Sequence, residues 1–190
     1  MKVFGAYCRY MVDRLAARSI HFISAVLSIG NYLKKKDLLG YRQGSIKEGF
    51  MDKKQFVLAA LAPANGAVHT PVQVQKLLFI LQEEIPEKIG GVHFNFEPYD
   101  YGPFDSEVYR VLEILSVDGL VEIIPGKWNS YRLTELGQER AKASLDGLEP
   151  QIKTYLQSLS KFVRNLSFPK LVSAIYKNYP GWDENSVFQG

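Results

Sequence analysis

A single cysteine, three histidines and no apolar run of membrane-spanning length mark this 190-residue chain, and each scarcity removes a class of function. With Cys8 alone, no intrachain disulfide and no cysteine-rich zinc cluster can form, which places the chain in a reducing, cytoplasmic setting. His21, His69 and His93 are scattered without the paired carboxylate or cysteine spacing of a metal site, so no metal is expected. The longest apolar stretch, residues 19–33, falls short of the roughly 20 residues a spanning helix needs and is broken by His21, three serines, Gly30 and Asn31. No small-residue cleavage site follows it, so a signal peptide fits no better. Absent too are a nucleophile motif and a glycine loop able to cradle phosphate. Glu83, Glu84, His93, Asp100 and Asp105 can titrate but share no catalytic spacing; Gly90-Gly91 reads as a turn, and His93 falls on the solvated side of a strand. Neither catalysis nor a cofactor is expected.

What is present begins with charge. The net charge of +3 suggests a nucleic-acid partner, because clustered Lys and Arg supply the phosphate contacts that dominate such binding. Its distribution says otherwise. Nine of the 23 basic residues and only three of the 20 acidic ones fall in residues 1–50, leaving fourteen basic against seventeen acidic residues in the body. The leader carries +6 and the body −3.

That leader has two readings. It is an amphipathic or flexible extension, basic on both sides of its apolar stretch, able to lie on a membrane or on the body. Or it is upstream sequence included by a misplaced start, since Lys47-Glu48-Gly49 permits codons containing a bacterial ribosome-binding sequence just ahead of Met51. The nucleotide sequence decides between them. For residues 51–190 no membrane association is expected.

The body reads as α+β. Phe56 to Leu61 fits a short helix ended by Pro63, and Thr70-Pro71 supplies an N-cap and a first-turn proline to a helix with Val74, Leu77, Leu78 and Leu81 on one face, ending near Glu84. Residues 92–97 alternate apolar and polar as a half-buried strand does, ended by Pro98 and followed by a loop over residues 99–104. A helix from Asp105 or Ser106 buries Val108, Val111, Leu112 and Leu115 and closes at Gly119. Residues 120–124 and 130–133 form a hairpin with a polar tip, after which Thr134 caps another helix. Two amphipathic helices follow: Ile152, Tyr155, Leu156, Leu159, Phe162, Val163 and Leu166 stripe the first, and Ser167 caps the second, which carries Leu171, Val172, Ile175 and Tyr176. The expected architecture is a winged-helix core over residues 51–145, with a three-stranded antiparallel sheet, and a helical extension over 146–190 that covers the core or forms a homodimer through residues 150–178.

Residues 96–109, the segment Val117-Asp118-Gly119-Leu120-Val121-Glu122, the run from Tyr131 to Gly137 and Gln75-Lys76-Leu77-Leu78-Phe79 together resemble small prokaryotic winged-helix proteins of the YwgA-like type, more distantly the Panacea/SocA antitoxin group. The resemblance covers roughly residues 53–190. It implies a winged helix, a fold that serves both transcription regulators and protein-binding modules. A DNA-binding regulator would read bases with the helix near Asp105, through Ser106, Tyr109 and Arg110, and reach phosphate or the minor groove with Lys127, Asn129 and Arg132. Three of the six exposed positions expected on that helix, Asp105, Glu107 and Glu113, are acidic, which opposes phosphate. An antitoxin-like or adaptor module would instead engage a basic protein through Tyr99, Tyr101 and Phe104, the alternative being that Tyr101 and Phe104 belong to the core.

Overall fold

The computed structural model describes residues 51–188; the apolar stretch at 19–33 and both readings of residues 1–50 lie outside them. Among the described residues, six α-helices and two separate two-stranded antiparallel sheets build an α+β body. Helix α1 (Lys53–Leu61) opens with a capping box, the Asp52 side chain accepting from the Gln55 N–H while the Gln55 side chain accepts from the Asp52 N–H. Every residue from Phe56 to Leu61 is buried, so α1 runs through the middle of the core instead of lying on it. Pro63 does not end the helix abruptly: a 3-10 turn over Ala62–Ala64 carries the chain to Asn65, which adopts a left-handed conformation.

Helix α2 (Pro71–Glu84) starts with a second capping box, Thr70 with Gln73. Its expected single apolar face is too narrow a description. Ten of its fourteen residues are buried, including Gln75, Lys76, Gln82 and Glu84, because α1, the next hairpin and the last two helices all pack around it.

The strand expected at 92–97 is a correction. These residues are extended, yet pairing begins only at β1 (Glu97–Tyr99), which joins β2 (Gly102–Phe104) in a tight hairpin where a loop was expected. Upstream, the backbone partner is a side chain: the Gln82 amide oxygen accepts from the His93 and Phe94 N–H groups, and its nitrogen donates to the Phe94 carbonyl, each at 2.9 Å. His93 is accordingly buried, stacked on Phe56 at 4.7 Å with Nε2 2.6 Å from the Ile89 carbonyl, and not solvated. Within the hairpin Pro98 pairs with Pro103. That pair lies between two hydrogen-bonded ones, where neither partner is asked for an N–H, so both prolines fit and stiffen it.

Helix α3 (Glu107–Val117) ends as expected: Gly119 is left-handed at φ +72° and the Leu120 N–H reaches back to the Leu115 carbonyl at 2.8 Å. Strands β3 (Val121–Ile124) and β4 (Ser130–Leu133) pair in the register Val121↔Leu133 through Ile124↔Ser130. The expected three-stranded sheet is not formed: residues 92–97, expected as its third strand, do not join β3 and β4, and the isolated addition to β4 is His69, which exchanges backbone hydrogen bonds with Tyr131 at 2.8 and 2.9 Å. Past His69 the pairing ends because Thr70 is already the cap of α2.

Thr134 caps α4 (Glu135–Asp146), accepting from the Gly137 N–H at 3.0 Å and donating to the Gly119 carbonyl at 2.7 Å. This ties the helix start to the α3 terminus so closely that a Cβ on Gly137 would overlap the Leu120 carbonyl oxygen. Gly137→Ala should therefore cost about 2 kcal/mol through forced overpacking, read as a lowered midpoint in urea with an unchanged slope. An unaltered midpoint would mean that the α3–α4 junction yields freely.

Helix α5 (Pro150–Asn165) buries Ile152, Tyr155, Leu156, Leu159, Phe162 and Val163 within the chain, and α6 (Phe168–Asn178) buries Leu171, Val172 and Ile175. That apolar stripe is spent on the core, Leu166 being only half-buried. Ser167 occupies the N-cap position of α6 without accepting a side-chain hydrogen bond, contrary to expectation. Among the described residues no helix is long and apolar enough to cross a membrane.

Candidate docking surface

Two patches were legible as candidates, and their geometry differs. On α3, Ser106 stands exposed at the N-cap. Tyr109 is half-buried between Phe104 and Tyr131, at ring distances of 5.9 and 6.2 Å, and burial raises its phenol pKa, so it is a packing residue more than a reader of bases. Arg110 is exposed but its guanidinium lies 2.7 Å from the Glu107 carboxylate, which Lys53 also approaches at 3.5 Å; the Arg110 hydrogen bond holds that carboxyl below its usual range. Asp105 does not face outward as expected. Its carboxylate accepts from the Asn95 and Glu107 N–H groups, both at 2.8 Å. On the β3–β4 hairpin Arg132 is paired directly across the strands with Glu122 at 2.6 Å. Lys127, Trp128 and Asn129 are exposed at the tip. Both arginines expected to meet DNA are thus already neutralised by a carboxylate.

The β1–β2 hairpin is built differently. Tyr99, 53% exposed, stacks on Phe104 at 5.1 Å, and Tyr101, 42% exposed, sits edge-on to Phe168 at 5.0 Å. Phe168, at the start of α6, is itself 40% exposed. Phe104 is half-buried and links this cluster to Tyr109. The three aromatic residues expected at a protein interface thus stand on one hairpin in two ring pairs, Tyr99 with Phe104 and Tyr101 with Phe168, the last of which the sequence did not single out.

Beneath it lie side chains that the sequence pattern did not mark as structural. Gln75 donates to the Asp105 carbonyl at 2.9 Å and accepts from its N–H at 3.2 Å. Lys76 donates to the Pro103 carbonyl at 2.9 Å, and Gln82 holds residues 93–94 as described. Helix α2 thus grips the segment from 93 to 105 by the backbone at its two ends, at residues 93, 94, 103 and 105. The available signal was Gln75 and Gln82 seven residues apart, on one face of a helix that is otherwise apolar there. Lys76 is only 2% exposed, and burial lowers its pKa to about 7.

The segments that form and border the hairpin are acidic in sequence, although Lys76 reaches the Pro103 carbonyl and both Arg110 and Lys53 pair with Glu107. Residues 96–109 and 179–188 contain Glu97, Asp100, Asp105, Glu107, Asp183 and Glu184 and no Lys or Arg. The groups weighed for catalysis do not converge: His93 is stacked on Phe56, and Glu84 is buried where Tyr179 donates to it at 2.9 Å. Among the described residues, no three His, Cys, Asp or Glu side chains are grouped to hold a metal. No family model matches this chain, and no curated protein or solved structure does either.

Proposed function

We propose that this domain is a non-catalytic protein-binding module, antitoxin-like or adaptor-like, that engages a basic partner through Tyr99, Tyr101, Phe104 and Phe168. One observation carries the reading: a stiff hairpin presents half-exposed aromatic rings, with the acidic Glu97 and Asp100 in the hairpin itself and Asp183 and Glu184 in the segment that borders it. Aromatic side chains on a preformed support lose little freedom on binding, which is why such residues anchor interfaces. Basic residues on the partner would be drawn to the surrounding carboxylates.

The same reading takes α1, the His69 bridge, α2, α3 and the β3–β4 hairpin as a winged-helix arrangement of the YwgA-like kind, supported by their order along the chain. A transcription regulator remains the second reading, favoured by Lys127 and Asn129 free at the hairpin tip. It is weakened by the pairing of Arg110 and Arg132 with glutamates.

Panning a random peptide library against the full chain separates the two. The expected peptides carry net positive charge and an apolar anchor, and bind Tyr99→Ser/Tyr101→Ser at least about tenfold more weakly. Retention on duplex DNA should be unchanged by Lys127→Ala/Arg132→Ala, since any salt-sensitive retention then stems from residues 1–50. Peptides indifferent to the tyrosines, with DNA retention lost in the second variant, would establish the regulator instead.

A further inference from the structure

Past α6 the chain turns at Gly181, left-handed at φ +90°, and residues 183–188 return across the β1–β2 hairpin. The Asn185 side-chain amide donates to the Pro98 carbonyl at 3.1 Å, the Ser186 hydroxyl to the Asp100 carbonyl at 3.2 Å, and the Val187 N–H to the same carbonyl at 3.0 Å. Ser186 Oγ also accepts from the Tyr176 hydroxyl at 2.6 Å and from the Phe188 N–H at 3.0 Å, so its proton and both lone pairs are engaged. Polar contacts hold residues 185–187, and the apolar anchor of the segment is Phe188. Val187 is 60% exposed, whereas Phe188 is half-buried and meets Phe168 and Tyr176 at ring distances of 6.0 and 6.4 Å.

The carbonyls it covers flank Tyr99, in the very turn that carries the docking surface. The covering sequence is also electrostatically poor for the place. Asp183 and Glu184 immediately precede Asn185, whose side chain reaches a hairpin already bearing Glu97 and Asp100. A segment with the same hydroxyl, aliphatic and aromatic order but with Lys or Arg in those two positions would exchange repulsion for attraction.

We infer that residues 185–188 are a strap occupying, in cis, a groove for an extended peptide formed by the hairpin turn, Phe168 and Tyr176, and that a basic partner segment enters by displacing it. The inference rests on the docking-surface reading and adds what that surface selects and what regulates it. Hydrogen bonds of modest net strength and a single half-buried apolar anchor, Phe188, make the strap the first part of the body to open.

The test compares the full chain with a chain ending at Trp182, using two labelled peptides: residues 183–190, and the same peptide with Asp183→Lys/Glu184→Lys. The truncated chain should bind both saturably, the lysine peptide at least about tenfold more tightly, and the full chain should bind each at least about tenfold more weakly. A folded truncated chain that binds neither, or equal binding by both chains, overturns the strap. If truncation unfolds the domain, amide exchange in the full chain decides: Val187 and Phe188 exchanging about 100-fold faster than Leu77 and Leu78 supports the strap, and exchange only with global unfolding overturns it. Selected basic peptides that need Tyr99 and Tyr101 but bind both chains alike would sink the strap and leave the docking surface standing. Binding of the strap peptide with no dependence of basic peptides on those tyrosines would do the reverse.

Discussion

Lys76→Met should make the domain more stable at pH 7, by about 2–3 kcal/mol, and the gain should vanish by about pH 10. Lys76 is buried with one hydrogen bond, to the Pro103 carbonyl, and burial takes its pKa from 10.5 to about 7. The folded value is depressed, so between about pH 7 and 10.5 the unfolded chain holds the proton while the folded chain releases it. Stability therefore rises with pH through that window. At pH 7 and below the penalty is close to complete, on the order of 4 kcal/mol. Methionine fills a similar volume without the charge, but leaves the Pro103 carbonyl short of a partner, costing about 1–2 kcal/mol. Above about pH 10 only that second effect survives and wild type becomes the more stable. Urea unfolding of both proteins across this pH range checks the claim; a difference independent of pH would mean that the amine is hydrated.

Acid should weaken the domain through His69. Its ring is fully buried, both nitrogens lack partners, and burial first, with Arg164 second, takes its pKa from 6.5 to about 4. Again the folded value is the lower one. Between about pH 6.5 and 4 the unfolded chain takes up a proton that the folded chain refuses, so stability falls as pH falls, by about 3 kcal/mol over the window. His69→Leu keeps the backbone pairing with Tyr131 and removes two unsatisfied polar atoms. It should be at least as stable as wild type at pH 7 and flatten the acid limb by that amount. If the two proteins lose stability in parallel down to pH 4, the acid limb belongs to other groups.

Both residues mark the limit of what the sequence discloses. Helical spacing placed α3, α5 and α6 correctly, and Gly119 and Thr134 announced the end of α3 and the start of α4, because each is a local rule of backbone geometry. The alternation at 92–97 misled for the opposite reason: those residues alternate because the Gln82 amide, ten or more positions away, takes the role of a neighbouring strand. Lysine is rarely buried unpaired, so nothing in Lys76 itself signals a place beneath the hairpin. The aromatic residues at 99, 101 and 104 were legible as a candidate interface by type and by their flanking prolines. Phe168 and residues 185–188 were not, because they join that surface only through contacts more than sixty residues away in sequence.

The surface and the strap are coupled to Lys76 by geometry. Lys76 holds Pro103 from below, next to Gly102, whose left-handed turn brings the backbone against Tyr176; a Cβ there would come within 3.1 Å of its ring. Tyr176 in turn holds Ser186. A lysine kept at such cost to stability fits a hairpin that must be held rigid for binding, since stability given up at a site is commonly tied to function.

The most direct measurement is a backbone-amide NMR titration of the full chain with a selected basic peptide. Shifts confined to residues 97–104 and 185–188 are the predicted result, together with loss of the Val187 amide's protection as the strap leaves. Shifts centred on residues 106–113 and 127–132, with the hairpin at 97–104 silent, would contradict the account.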